Sequence, residues 1–289
     1  MNNKIRLVPA PAVWDYRFKI FLAALFFSFC QVMPVSSQCV YHNIPFVHGE
    51  QLDYTIYFKW GILMPKAGEA TFSYSPSSEG AEPGNTSRML FRTTGMFESI
   101  FKMRDTLECY SDTTLLLLRG EKRANDGGYY SADKIWFSYD KGITTAKSLR
   151  YNLSRTIIDT TLVVDDGCAL DMLGTILYVR SLDWENLKPG ASFSVKVIIG
   201  RDIVNTNLNY KGPETISGKD NYKYNTHHFT IDIFDEAFSV EKSAADLWIS
   251  NDANRIPVKI RAKLKIGAAE AYLRSASGTK SPVINRVKQ

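Results

Sequence analysis

The chain has 289 residues, of which 45% are hydrophobic and 22% are charged, and its formal net charge is +5 at pH 7. These values are typical of an ordinary globular protein that is long enough to bury a sizeable core. A charge this modest gives no case for nucleic-acid binding, which needs a concentrated basic surface, so we expect no nucleic-acid partner.

The N-terminal segment has the three-part layout of a secretory signal. An apolar run at residues 20–30 is followed by small residues at Val35 and Ser37. The run is shorter than the roughly 20 apolar residues that a spanning helix needs. We therefore predict a signal peptide at residues 1–37, cleavage after Ser37 and export to the periplasm or the outer membrane. The basic residues that precede the run are Lys4, Arg6, Arg17 and Lys19.

Three cysteines follow the predicted cleavage point: Cys39, Cys109 and Cys168. An odd number allows at most one internal bridge, for which Cys109 with Cys168 is the plausible pair; two buried unpaired thiols are the alternative. A lipid anchor on Cys39 is a second interpretation of this region. Gln38 weakens it, because a small residue usually precedes a lipidated cysteine.

Alternating polar and apolar residues predict strands in the first part of the mature chain. The alternation runs from Gln51 to Trp60, breaks at residues 61–68 around Pro65, and resumes at residues 69–75, which indicates a hairpin. Residues 76–87 read as an exposed loop, 88–94 as a strand and 95–104 as a short helix. Shorter strands are predicted at residues 107–110, 115–119, 135–139 and 143–148.

One segment has helical spacing instead. Leu170, Leu173 and Leu177 recur at intervals of three and four residues after Asp165 and Asp166. We predict a helix at residues 169–182, with the two aspartates at its N-terminal cap.

Further strands are predicted at residues 193–199, 203–210, 214–216, 227–234, 247–250 and 256–266. About a dozen strands and one good helix predict a mainly β fold: an antiparallel sheet curled into a half-barrel or barrel with one or two packed helices. By analogy of architecture only, this is similar to the lipoprotein carriers. We expect a single β-rich domain at residues 40–275 and a polar tail at residues 276–289.

Two surfaces are candidate binding sites. Strand aromatics would line an apolar pocket for a lipid or another apolar small molecule, or they fill the core; they are Tyr54, Phe58, Trp60, Phe72 and Trp248. A row of cations on the last predicted strand, the basic stripe, would bind anionic lipid headgroups, an anionic glycan or an envelope protein. The alternative is that these cations form a solvated strand face, whose charges discourage edge-to-edge aggregation. The basic stripe consists of Lys259, Arg261, Lys263 and Lys265.

Catalytic and metal chemistry find little support in the sequence. The adjacent His227 and His228 point to opposite faces of a strand, so both cannot readily ligate one metal. No Gly-x-Ser-x-Gly or His-Glu-x-x-His signature is present, and Asp235 with Glu236 reads as a pair of surface acids rather than a hydrolase pair. We predict no catalytic residue, no metal and no cofactor.

Three segments resemble a known family. They are residues 49–54 leading to 68–70, the helical segment 171–180, and residues 247–252 followed by 255–259 and 265–267. In these segments the chain resembles domain of unknown function 3108, and its sequence is similar in character to those of the Bacteroidetes members. The resemblance implies an exported bacterial β-rich protein and supplies no catalytic residue.

We therefore expect a non-enzymatic exported envelope protein that binds a lipid or another apolar ligand in a curved sheet. An envelope scaffold, or a module that binds protein or polysaccharide through the basic stripe, is the alternative. A hydrolase ranks third.

Overall fold

One 16-stranded sheet dominates the computed structural model, which describes residues 39–77, 83–235, 238–281 and 286–288. The predicted signal segment and Glu236 lie outside the described residues. The strands are β1 Glu50–Lys59, β2 Lys66–Ser77, β3 Gly84–Thr93, β4 Arg104–Asp112, β5 Leu117–Asp126, β6 Tyr129–Asp140, β7 Ile143–Asn152, β8 Thr156–Val164, β9 Cys168–Leu170, β10 Ser192–Ile199, β11 Asp202–Ser217, β12 Tyr222–Asp235, β13 Phe238–Ser250, β14 Pro257–Lys263, β15 Ala268–Ser277 and β16 Arg286–Lys288; the helices are α1 Met96–Ile100 and α2 Met172–Arg180.

The sheet curls until its two edges nearly meet. Strands β1 to β8 and β10 to β15 pair with their chain neighbours in antiparallel fashion, β1 pairs with β15, and β9 pairs with β10 in parallel. The edge strands β8 and β9 are joined by residues 165–167 alone, so the edges cannot separate far. A Cβ placed on Gly200, after β10, would lie 3.3 Å from both Arg150 Nη2 and Ile158 Cδ1 across the seam. The predicted mainly β, curled antiparallel architecture is confirmed.

Helix α2 lies inside the sheet. Its segment is apolar on most sides, as expected for a buried helix, and Leu173, Leu177 and Val179 are buried. The predicted N-terminal cap is wrong: Asp171, not Asp165 or Asp166, accepts a hydrogen bond from the Gly174 amide. The helix accordingly begins at Met172 and ends at Arg180, inside the predicted limits.

The turns alternate between two ends of the barrel because the strands are antiparallel. We call one the helix end, defined by α2 and the turns at residues 113–116, 141–142, 165–167 and 251–256. We call the other the mouth, defined by the turns at residues 60–65, 94–103, 127–128, 153–155, 200–201 and 264–267. Toward the helix end the inward side chains pack around α2 and are fully buried; they include Leu52, Tyr54, Phe72, Leu208, Phe229 and Leu247.

Several elements differ from the prediction. Strands β8 and β15 were not anticipated, β3 begins at Gly84 inside the predicted loop, and β11 is one strand with a bulge between Tyr210 and Gly212. The apolar Ile157 and Val163 point outward and interrupt the alternation of polar and apolar residues on β8. Alanines make the same alternation unclear on β15. Strand β15 continues to Ser277, past the expected domain limit at residue 275, and β16 pairs with β12.

A disulfide joins Cys39 to Cys168, whose Cα atoms are 4.6 Å apart. The predicted pairing of Cys109 with Cys168 is therefore wrong, and Cys109 is a buried free thiol. The bridge ties the segment before β1 to β9, beside α2. A thiol engaged in this bridge has no free sulfur to carry an acyl chain, which argues against the lipid-anchor interpretation of Cys39.

Candidate ligand-binding site

The inner surface near the mouth is not packed like the inner surface near the helix end. Apolar side chains that follow the inward alternation of Leu52 and Tyr54 are only half-buried there. Protein interiors are normally packed without such accessible apolar surface. Apolar surface inside the barrel therefore stays open toward the mouth. The half-buried inward residues include Ile56, Phe58, Phe91, Leu107, Ile231 and Ile260.

A cleft of about 120 Å³ lies between the inner face of β4 to β7, the start of α2 and the end of β10. Its lining exposes more apolar than polar surface. The apolar side chains in the lining are Leu107, Ile135, Met172, Leu173, Ile198 and Ile199.

Charged side chains on neighbouring strands flank this cleft on its mouth side. Lys122 on β5 lies opposite Asp133 on β6, which in turn lies opposite Arg150 on β7. Arg150 is hydrogen-bonded to Asp133, whereas Lys122 Nζ lies 3.9 Å from Asp105 Oδ2. Burial, together with Asp126, raises the pKa of Asp105. The row places two cations, Lys122 and Arg150, next to two carboxyl groups, those of Asp105 and Asp133, at the edge of an apolar cleft; Lys122 is the more loosely held cation.

Asp171 lines the inner part of the cleft. Burial raises the pKa of its carboxyl to about 7. The backbone N–H groups of Gly174 and Leu173 stabilise the ionised form and oppose this rise. A Cβ on Gly120 of β5 would lie only 2.4 Å from Asp171 Oδ2, so the carboxyl requires a glycine at this point of the strand. Burial raises the pKa of the neighbouring Cys109 thiol well above its usual value. A buried neutral thiol is a poor nucleophile, and Asp171 is occupied as a helix cap.

A buried ion pair fixes the other end of α2. Arg180 Nη1 and Nη2 donate to the two carboxylate oxygens of Glu50 at 2.7 and 2.9 Å. Nη2 and Nε also donate to the backbone oxygens of Asn254 and Arg255, at 3.0 and 2.9 Å. The pair joins β1, α2 and the turn before β14. These are the three segments that carry the family resemblance, yet their sequence periodicity alone gave no sign that Glu50 and Arg180 are partners.

The structure does not gather the five candidate aromatics into one site. Tyr54 and Phe72 are buried near the helix end, and the Phe72 ring lies 5.8 Å from the Arg180 guanidinium carbon. Phe58 lies at the mouth, with its ring 6.0 Å from that of Phe97 in α1. Trp60 is exposed on a mouth turn.

Trp248, the fifth candidate, lies on the outer face of the sheet. Its ring stacks on His228 at 4.6 Å, Lys259 Nζ lies 4.6 Å from the ring centre, and its indole N–H donates to Glu214 at 2.8 Å. His227 points inward, where its Nδ1 lies 2.6 Å from the Tyr210 hydroxyl. The two histidines thus face opposite ways, as predicted. Within the described part of the chain, no three His, Cys, Asp or Glu side chains cluster as metal ligands would.

The basic stripe divides into two pairs. Lys259 Nζ and Arg261 Nε lie 3.4 and 3.7 Å from the buried carboxylate of Glu270. Although burial opposes ionisation, Tyr272 and Lys259 hold the pKa of Glu270 below its usual value. Lys263 and Lys265 are exposed at the mouth. The four cations therefore do not form one free surface.

Comparison with solved structures supports the architecture. The chain is similar to a β-barrel-like protein of domain of unknown function DUF1849 from Brucella abortus, with a TM-score of 0.57 and 11% identity over 82% of this chain and 99% of that one. A protein with a YmcC-like fold from Bacteroides fragilis aligns with a TM-score of 0.33 and 9% identity over 82% of this chain and 100% of that one. The second value is too low to support an argument.

Comparison of the sequence with curated proteins finds no match. Among the residues that the structure describes, no helix has the length and apolar character needed to cross a bilayer. Residues 53–274 match the family model described as Protein of unknown function (DUF3108). The match covers most of the chain, including all or part of the three segments that carry the resemblance, and confirms it: the chain belongs to the DUF3108 family.

Proposed function

We propose that this protein is an exported, non-enzymatic envelope protein that holds the apolar part of a lipid or similar amphipathic molecule inside its barrel. The observation that carries the proposal is the apolar cleft beside α2, which is flanked by Lys122 and Arg150 and continues into half-buried apolar surface near the mouth. Ligand sites of this kind combine apolar walls with a few placed polar groups.

The charges suggest how such a ligand would lie. An acyl chain would cover Leu107, Ile135 and Met172 and remove their surface from water, which is favourable in proportion to the apolar area buried. A polar headgroup would remain at the charged row, where Lys122 is the most loosely held cation. The ligand class that fits this arrangement is an amphipathic molecule with a hydrocarbon chain and a polar headgroup.

Export is supported by two independent features. The N-terminal 37 residues have the layout of a signal peptide, and the disulfide between Cys39 and Cys168 is of the kind that persists in oxidising compartments. On these grounds we propose the periplasm or the outer membrane as its location.

A binding role is favoured over hydrolysis by the state of the reactive groups in and beside the cleft. Cys109 is buried with a raised pKa, and Asp171 caps α2 instead of facing a second carboxylate. The alternative of a glycan-binding or scaffold module through the basic stripe is weakened because Lys259 and Arg261 both lie against the one buried carboxylate of Glu270.

Native mass spectrometry of the protein purified from the exported fraction tests the proposal. We expect an added mass that matches a lipid. Met172→Trp, an exposed cleft residue at the start of α2, should fill the cleft and remove that mass; Leu118→Trp, an exposed site on β5 outside the cleft, is the matched control. An unliganded wild type that also fails to bind a fluorescent fatty acid, or equal retention by both variants, would refute the proposal.

A further inference from the structure

Large apolar side chains are exposed on the mouth turns. Ile62 is 100% exposed, Leu153 83%, Ile100 72% and Trp60 61%. Turn tips normally carry small polar residues, so this composition requires an explanation. We call the whole set the apolar arc: Trp60, Ile62, Leu63, Met96, Ile100, Phe101, Tyr129, Leu153, Leu264 and Ile266.

Contacts between neighbouring turns make the apolar arc continuous. A Cβ on Gly267 would lie 2.2 Å from the Lys59 carbonyl oxygen, so the turn at residues 264–267 packs on the end of β1. The ring of Phe58 in β1 meets that of Phe97 in α1. The Gly127 amide then donates to the Lys102 carbonyl at 2.7 Å, which joins the turn after β5 to the α1 segment.

The arc ends at the turn after β7. There the Asn152 side-chain amide donates to the Tyr129 hydroxyl at 3.4 Å, and Leu153 follows. Five turns that are distant in sequence therefore present exposed apolar side chains next to one another at one end of the barrel. Toward the helix end, the exposed aliphatic side chains among the residues that the structure describes include Val40, Ile44, Val47, Ile143, Val163 and Val287.

Cations accompany the arc. Lys102 and Arg155 are exposed beside Phe101 and Leu153, and Lys265 lies between Leu264 and Ile266. The acidic Glu98 on the α1 turn is hydrogen-bonded to Arg104, so its charge is matched within the protein. The basic residues on or next to the arc's turns are Lys59, Lys66, Lys102, Arg155, Lys263 and Lys265, of which Lys59 and Lys66 lie against Glu270 and Glu69.

We infer that the mouth docks on the surface of an anionic lipid bilayer. Apolar tips with Trp, Tyr and Phe among them, surrounded by lysine and arginine, are the composition that lies at the boundary of headgroups and acyl chains. The tips project from separate turns instead of forming one flat patch, which suits a fluid surface better than a rigid protein partner. The turns have backbone groups without strand partners, so insertion stops at the interface. This inference does not depend on a ligand in the cleft.

Vesicle co-sedimentation of the protein from the exported fraction, its N-terminus verified by mass spectrometry, tests the inference. We expect binding to vesicles of phosphatidylglycerol and phosphatidylcholine in equal parts, and weaker binding to phosphatidylcholine alone. The combined variant Ile62→Ser, Ile100→Ser and Leu153→Ser should bind on the order of tenfold or more weakly. It should fold normally because these side chains are exposed, which circular dichroism checks.

Matched variants separate the arc from general surface effects. Ile44→Ser, Ile143→Ser and Val163→Ser at the helix end should leave vesicle binding unchanged. Lys102→Gln, Arg155→Gln and Lys265→Gln should remove the preference for phosphatidylglycerol. Lipids brominated in the acyl chains should quench Trp60 fluorescence, and the Trp60→Phe variant should lose that quenching. Met172→Trp should bind vesicles like the wild type, so failure of the ligand proposal would be seen separately.

Three outcomes would overturn the inference. The first is a wild type that binds neither type of vesicle. The second is equal weakening of vesicle binding by the mouth and helix-end variants. The third is a dimer in sedimentation velocity that the mouth variant converts to a monomer while the wild type ignores vesicles, because the arc would then cover a second copy of the chain.

Discussion

The two ends of this barrel are built from the same strands but differ in packing: side chains are buried at one end, and apolar side chains are exposed at the other. At the helix end, inward side chains such as Leu52 and Phe229 are buried against α2, and Glu50 with Arg180 locks the helix to the sheet. At the mouth the inward side chains are half-buried and the turn tips expose residues such as Ile62. Stability is therefore concentrated at one end, which leaves the other free to expose apolar surface for binding. Substitutions at the two ends should separate stability from binding.

The largest effect is expected from the buried ion pair. Arg180→Met leaves the Glu50 carboxylate buried without its partner and should lower the free energy of unfolding by about 3–5 kcal/mol. Denaturant unfolding measures this change. Arg104→Met, which breaks the exposed pair with Glu98 at the mouth, is the control and should cost at most about 1 kcal/mol. Equal losses from both variants would contradict the contrast between the ends.

The disulfide is expected to come next. It links residues 129 positions apart, so its removal frees a long loop in the unfolded chain. Replacing Cys39 and Cys168 by serine together should lower the free energy of unfolding by about 2–4 kcal/mol. A reductant should destabilise the wild type similarly and leave the double variant unaffected. An unchanged midpoint in both experiments would show that the bridge does not form.

The strands and the helix could be predicted from the sequence, but some of the contacts that stabilise them could not. The alternation from Gln51 to Trp60 and on β14 predicted strands and their buried faces, because a period of two is imposed locally by the strand backbone. The helix was found by its spacing, but its cap at Asp171 was missed. That cap depends on Gly120, a residue of a distant strand, and such proximity follows from the fold alone.

The candidate site shows the same limit. Selection by residue type found Trp60 and Phe58, which lie at the mouth, but it also selected Trp248, which lies on the outer face. An aromatic residue on a strand does not by itself indicate which face of the sheet is inside. The pairing of Cys39 with Cys168 and that of Glu50 with Arg180 were hidden for the same reason, since each partner is more than a hundred residues from the other.

A smaller, pH-dependent effect is expected at Asp171. Its folded pKa, about 7, exceeds the ordinary value of 3.8, so between these values the native state binds a proton that the unfolded chain has lost. This group therefore makes stability fall as pH rises from about 4 to 7. Asp171→Asn keeps an acceptor for the Gly174 amide but cannot ionise. The free energy of unfolding should be measured for both proteins at pH 4.5 and pH 8. The difference, variant minus wild type, should be more positive at pH 8 than at pH 4.5 by at least about 1 kcal/mol.

The neighbours of Asp171 do not obscure that comparison. Burial raises the pKa values of Cys109 and Tyr41 well above their usual range, so both stay neutral throughout. A stability difference between wild type and Asp171→Asn that is constant with pH would show that the carboxyl is not held in its neutral form.

The smallest effect is expected in α1, and it is the sharpest test of the contrast. Ile100 is exposed and α1 has no buried side chain, so Ile100→Ala should change the free energy of unfolding by no more than about 0.5 kcal/mol. Leu177→Ala in α2 removes a fully buried side chain and should cost about 2–5 kcal/mol. If Ile100→Ala were as costly, α1 would have a packed partner inside the protein, and the exposed arc would be structural surface instead of a surface kept free for docking.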